Sequence, residues 1–178
     1  MIRPISKNHP RASAQSLART LVQRLSRAGR KLVLAESCTG GLVSKLITDV
    51  PGASEVFVLS LVTYANEAKI KLLGVDRKVI ESRGAVSREC ARQMAEGALR
   101  LGAADLAVAI TGIAGPTGAC PGKPVGTVWF AVCDGHKTRT TKKLFAPRSR
   151  SFIRRQAART ALWLVIEANE NLQKRGSH

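Results

Sequence analysis

Aromatic side chains make up only 4% of this 178-residue sequence, so there is little material for the stacking platforms that hold single-stranded bases. Histidine is scarce as well, with only His9, His136 and His178. The four cysteines, Cys38, Cys90, Cys120 and Cys133, stand 52, 30 and 13 positions apart, with no CxxC pair among them. That spacing offers neither a metal site nor a disulfide framework. Free thiols in a reducing cytoplasm are the plain reading, and neither a metal nor a cofactor is expected. A long apolar run is also missing: Lys45 and Lys69 interrupt the longest candidates, and none approaches the ~20 residues of a membrane helix. No membrane partner is expected.

Acid is missing from one particular place. Residues 1–35 carry eight Lys or Arg and no Asp or Glu, and residues 106–178 carry twelve against three, within a net charge of +17. Such asymmetry attracts anions: a nucleic acid, a membrane surface or a phosphorylated small molecule. Solvated helix faces are the better account of most of these residues. The acid-free amino terminus also resembles an organellar transit peptide, but Leu17, Leu21 and Leu25 at i, i+4, i+8 fit the buried stripe of a first helix.

With 44% hydrophobic residues, the chain has material for one domain, placed at 12–172 between tails at 1–11 and 173–178. Periodicity and punctuation predict helices over 12–28, 42–50, 66–73, 75–82, 87–101 and 148–172. They predict strands over 31–36, 55–64, 105–110, 128–132 and 137–145, the last two a hairpin through Asp134-Gly135. Helices interleaved with strands and closed by a hairpin give an α/β fold, a single three-layer domain with a mixed β-sheet flanked by helices. Between the third and fourth strands lies a Gly- and Pro-rich loop, 111–126, of a length usually reserved for function or disorder.

The stretch Lys31 to Gly41, KLVLAESCTGG, reads as an apolar strand that stops at Ser37, with a small-residue turn opening a helix. It delivers a hydroxyl to a strand's carboxyl end. The backbone N–H groups of Thr39, Gly40 and Gly41 then offer partial positive charge to a phosphate or an oxyanion, and the glycines permit close approach. Alternatively, Ser37 or Thr39 is only the helix N-cap. Tyr64 closes the second strand and Lys69 follows five residues on, both within reach of Ser37 if the two strands are neighbours. A lysine in a desolvated, cationic pocket has a lowered pKa and can serve as the base that activates a serine. An exposed Lys69 and a packing Tyr64 are the bland alternative.

Six segments occur in order: AESCTGG, TYANEAK, GAVS, TGIAGPTG, KPVGTVWFAV and RSRSFIRRQAARTAL. Over about residues 12–172 this pattern resembles the carboxy-terminal domain of the CinA (competence/damage-inducible) proteins, whose stand-alone members are nicotinamide-nucleotide amidases. The resemblance implies hydrolysis of nicotinamide mononucleotide to nicotinate mononucleotide and ammonia, in pyridine-nucleotide salvage. It places the catalytic residues at Ser37, Tyr64 and Lys69. Thr39, Gly40, Gly41, Thr111, Gly112 and Gly115 would bind substrate, with Arg150 and Arg154 at the start of the last helix and Arg148 close enough to compete. Gly118-Ala119 stands where the family commonly has Gly-Gly. The larger amino-terminal domain of full-length CinA has no counterpart in this sequence.

The expected chemistry is attack of Ser37 on the carboxamide carbon with neutral Lys69 as base, Tyr64 orienting the lysine or relaying the proton, and the turn amides holding the oxyanion. Cys38 is a poorer nucleophile candidate, because neighbouring side chains on an extended strand point oppositely. The partner is a small nucleotide; no specific nucleic acid is expected, and a homo-oligomer is. The rival reading is a non-enzymatic basic module that binds DNA or a competence or DNA-repair partner.

Overall fold

The computed structural model describes residues 12–176, so the tail expected at 1–11 and the last two residues lie outside the described residues. The first helix, α1 (Ala14–Arg27), starts where the Ser13 hydroxyl accepts from Ser16 N–H, and buries Leu17, Leu21 and Leu25. Its apolar stripe therefore packs inward. Next come β1 (Leu32–Glu36), α2 (Leu42–Thr48), a 3-10 turn at Ala53–Glu55 and β2 (Phe57–Val62). Then α3 (Asn66–Leu73), α4 (Arg77–Arg83) and α5 (Arg88–Gly102) lead into β3 (Leu106–Gly112), the hairpin β4 (Thr127–Cys133) and β5 (Thr138–Leu144), and α6 (Arg150–Gly176).

The five strands form one mixed sheet in the order β2-β1-β3-β4-β5, with β2, β1 and β3 parallel and β4 and β5 antiparallel to their neighbours. Every residue of β1 is buried, as is expected of a parallel strand covered on both faces. On one face Leu32, Leu34, Val108, Ile110 and Phe130 pack against α1, α2 and α6. The opposite face is built from smaller residues, Ala35, Ala107, Ala109 and Ala131, against which α5 lies with Ala91, Met94, Ala95 and Ala98. Small residues let that helix come close. At Gly97 a Cβ would lie 1.9 Å from the Leu73 carbonyl oxygen, so α3 abuts α5 backbone to backbone there.

All eleven expected elements form, and the differences from sequence expectation are at their ends. The fourth helix begins at Arg77 rather than at 75, because Asp76 caps it through Lys78 N–H while Val75 is buried in the second core. Ser87 caps α5 through Cys90 N–H. The final helix begins two residues later than expected, after Ser149, whose hydroxyl accepts from Phe152 N–H. It then runs to Gly176, through positions 173–176 that the sequence reading assigned to a tail.

Candidate active site

The carboxyl ends of β1, β2 and β3 point the same way, and this end of an open α/β sheet is where a ligand crevice is usually found. Ser37 follows β1 and is held in line by its N–H donating to the Ile110 carbonyl of β3 at 3.0 Å. It is 8% exposed, placed at the surface of the core rather than within it.

The turn after Ser37 departs from expectation in an instructive way. Glu36, fully buried, accepts from Gly41 N–H (2.9 Å), Val43 N–H (3.2 Å), Ser44 N–H (2.9 Å) and the Ser44 hydroxyl (2.5 Å). The start of α2 thus takes an internal carboxylate as its anion. Gly40 N–H is also engaged, donating to the Ser37 carbonyl at 3.0 Å. The expectation that Gly40 and Gly41 amides wait for a ligand is therefore corrected. Thr39 N–H meets no acceptor among the described residues, and the Thr39 hydroxyl is buried without a partner. Nor does Ser37 or Thr39 cap α2: the N-cap is Gly41, in the left-handed region at φ 88°, and the side chain that does the capping is Glu36. Sequence reasoning missed Glu36. Its signal was an acid ending an otherwise apolar strand just before a helix whose first turn has none.

Lys69 is 1% exposed, among the most buried large side chains of the chain. Its ammonium donates to the carbonyls of Thr63 (2.8 Å) and Tyr64 (3.1 Å) at the end of β2. Thr63 N–H in turn donates to the Glu36 carbonyl at 2.9 Å, so the lysine is fastened to the peptide beside the one that carries Ser37. Burial is the main force on its pKa and holds it below the usual 10.5, with the thiols of Cys90 and Cys38 pulling weakly the other way. No hydrogen bond joins Lys69 to Ser37 among the described residues. Tyr64, 58% exposed, is tied to Lys69 through its main chain only.

The phenol of Tyr64 belongs to a different contact. It accepts from Arg150 Nη2, while Arg150 Nη1 donates to the Gly115 carbonyl at 2.8 Å. One guanidinium thereby bridges the end of β2 and the loop after β3. Arg154, a turn later on α6, donates to the Thr39 carbonyl at 2.6 Å. Arg148 lies instead over the Phe152 ring at 5.0 Å. In the 111–126 loop, the buried Thr111 hydroxyl donates to the Ala85 carbonyl at 2.9 Å. At Gly112 a Cβ would come 2.7 Å from Val128, and at Gly115, with φ 74°, 2.6 Å from Val125. Thr111 and Gly112 thus act in packing the loop, whereas the Gly115 carbonyl receives the Arg150 guanidinium.

Cys38 packs into the core, and burial pushes its thiol up to about 12, which leaves it protonated and a poor nucleophile. Among the described residues, no group of three or more His, Cys, Asp and Glu side chains is placed to hold a metal ion. No helix among them is long and apolar enough to cross a membrane.

Fold and crevice together define an α/β protein with a serine, a buried lysine and two arginines gathered at the carboxyl ends of parallel strands. The chain belongs to the CinA C-terminal domain family, whose pattern residues 14–168 match. It is 50% identical over 154 residues to a CinA-like protein of Akkermansia muciniphila, covering 86% of this chain and 37% of that protein. To a CinA-like protein of Geobacter sulfurreducens it is 52% identical over 147 residues, covering 82% of this chain and 35% of the relative. The chain thus spans roughly a third of the length of such relatives. The solved competence/damage inducible protein CihA of Agrobacterium tumefaciens superposes with a TM-score of 0.87 at 39% identity, covering 92% of this chain and 99% of that one. A CinA superfamily protein of Escherichia coli gives 0.87 at 33% identity, covering 92% and 95%.

Proposed function

We propose that the protein is an amidohydrolase that converts nicotinamide mononucleotide to nicotinate mononucleotide and ammonia. The observation that carries this reading is Lys69, a buried amine held only by two main-chain carbonyls on the strand beside Ser37, with its pKa lowered by burial. Burial disfavours the charged form of the amine, which moves it toward the role of a base. In the proposed reaction Lys69 takes the Ser37 proton as the hydroxyl oxygen bonds to the carboxamide carbon, and returns it to the departing nitrogen, which leaves as ammonia. Water then cleaves the acyl-serine to release the carboxylate and restore the hydroxyl. Thr39 N–H, the one of the three amides of Thr39, Gly40 and Gly41 that has no acceptor among the described residues, is the oxyanion donor in this scheme, and such a donor contributes ~3 kcal/mol in comparable sites. Arg150 and Arg154 recognise the phosphate, and Tyr64 sets the orientation of Arg150 rather than that of the lysine.

Ammonia release on adding nicotinamide mononucleotide to the purified chain tests the reading, with Ser37→Ala as control. No release above that control removes the proposal. The basic charge keeps one rival in play: a DNA-binding module. Mobility shifts across a salt series distinguish it, since retention of DNA at physiological salt favours the module and loss marks incidental attraction.

A further inference from the structure

Thr63 is fastened on both sides by its main chain and left alone at its side chain. Its N–H donates to the Glu36 carbonyl at 2.9 Å, and its carbonyl accepts from the Lys69 amine at 2.8 Å. Its hydroxyl is fully buried and has no partner among the described residues. Buried hydroxyls are ordinarily satisfied, so an orphan on the very residue that holds a buried amine calls for a use.

The strand register says what that hydroxyl faces. Leu61, Ala35 and Ala109 are partners across β2, β1 and β3, and all three lie on the sheet face that α5 covers. Side chains alternate along a strand, so two residues further on Thr63, Ser37 and Thr111 return to that face as neighbours. The ladder carries through to them, since Ser37 N–H donates to the Ile110 carbonyl at 3.0 Å just as Thr63 N–H does to Glu36. Ser37 thus stands between two threonines on strands about 4.8 Å to either side, a spacing across which hydroxyls hydrogen-bond. The two threonines differ. Thr111 gives its proton to the Ala85 carbonyl, whereas Thr63 gives its proton to nothing and stands on the side of Lys69.

The amine has a matching free direction. As an ammonium it carries three N–H donors, two of them spent on the carbonyls of Thr63 and Tyr64. Loss of the third proton leaves a lone pair that points away from both carbonyls.

We propose that the Thr63 hydroxyl relays the proton between Ser37 and Lys69. This inference rests on the reading of Ser37 as nucleophile and Lys69 as base. As Ser37 Oγ bonds to the acyl carbon, its proton passes to Thr63 Oγ1, and the proton that Thr63 held passes to the lone pair of Lys69 Nζ. The threonine ends as it began, a neutral hydroxyl, and the lysine ends as an ammonium. When the acyl-serine is cleaved, the serine oxygen recovers its proton from the ammonium by the reverse route.

Thr63→Val keeps the shape of the side chain and removes the hydroxyl. It is expected to lower kcat for nicotinamide mononucleotide about a hundredfold with KM changed by no more than about twofold. Its melting temperature should stay level or rise, because an unpaired buried hydroxyl is lost. Thr63→Ser, which keeps the hydroxyl, should recover most of the rate. A second readout needs no amide substrate: phenylmethanesulfonyl fluoride forms a bond from Ser37 Oγ to sulfur as fluoride leaves, and the same serine proton must move. Followed by intact mass with Ser37→Ala as blank, this sulfonylation should slow about a hundredfold in Thr63→Val. If wild type releases no ammonia but sulfonylation keeps this order, the substrate assignment fails and the relay stands. Sulfonylation of Thr63→Val within about threefold of wild type, or a Thr63→Ser as slow as Thr63→Val, overturns the relay. So does a Thr63→Val chain that loses its fold, or a wild-type Ser37 inert to the reagent.

Discussion

Two helix amino termini border the crevice, and they treat negative charge in opposite ways. At α2 the chain supplies its own anion, the buried Glu36 carboxylate, and the helix amides are spent on it. At α6 the first turn holds no acid, Ser149 caps one amide, and the guanidiniums of Arg150 and Arg154 reach over the crevice to hold carbonyls and the Tyr64 phenol. Both ends obey the same electrostatic preference. The difference lies in whether a carboxylate stands upstream in the strand that feeds the helix. The first end shapes the turn that presents Ser37, and the second remains electropositive toward solvent.

That contrast is best broken by substitution. The largest effect is expected at the proposed nucleophile and base: Ser37→Ala and Lys69→Met each lower kcat by roughly three orders of magnitude or more, and the double variant loses little beyond either single one. Losses that multiply would separate the two residues into independent roles. Next comes Arg150→Ala, expected to raise KM for the mononucleotide about ten- to a hundredfold while the dephosphorylated riboside is nearly unaffected. Equal losses on both substrates would make Arg150 structural. Glu36→Gln sharpens the comparison from the other side, because it discards the charge that three buried or part-buried amides face. A penalty of about 2–3 kcal/mol should lower the melting temperature by roughly 5–10 °C, whereas Arg150→Ala should move it by no more than about 2 °C. Matching shifts would erase the distinction between the two helix ends. The smallest effect belongs to Tyr64→Phe, which removes one partner of Arg150 and should change KM only a few-fold.

Acidity adds a further check. The folded pKa of Lys69 lies below its unfolded value of 10.5, so between the two the unfolded chain binds more protons and stability rises with pH. Cys38 acts in the opposite sense: its thiol is raised from 9.0 to about 12, which costs stability as pH climbs above 9.0. Denaturation of wild type and Lys69→Met across this range separates the contributions. The stability of wild type relative to the variant should grow as pH rises toward 10.5, and a flat difference would show that burial does not perturb the lysine.

Most of the fold was legible because periodicity and punctuation are local. Gly74 ends α3 where expected, Ser87 caps α5, and the Thr and basic alternation of β5 marks an edge strand. The site was legible in its parts rather than in its wiring. Ser37, Lys69 and Arg150 do gather at one end of the sheet, yet the partner of the Tyr64 phenol is Arg150, 86 residues away in sequence. No short-range pattern encodes such a contact. Glu36 was hidden for a related reason: its neighbours in β1 are all apolar, so the strand reads as uniformly buried, and an acid there gains meaning only when α2 folds back over it. The extension of α6 past residue 172 had no signal either, since Gln173, Lys174 and Arg175 sustain a helix and solvate a tail equally well.

Gly97 carries a consequence for timing. Because its bare Cα lets the last turn of α3 sit directly on α5, and because Val75 N–H donates to the Lys69 carbonyl at 3.2 Å, the helix that holds the amine is clamped at its far end. A helix fixed there holds the backbone of Lys69 at a set distance from the sheet. In the reaction proposed above, the amine is already desolvated in the resting protein, so that cost is met once, during folding, and is not repeated in each encounter with a ligand.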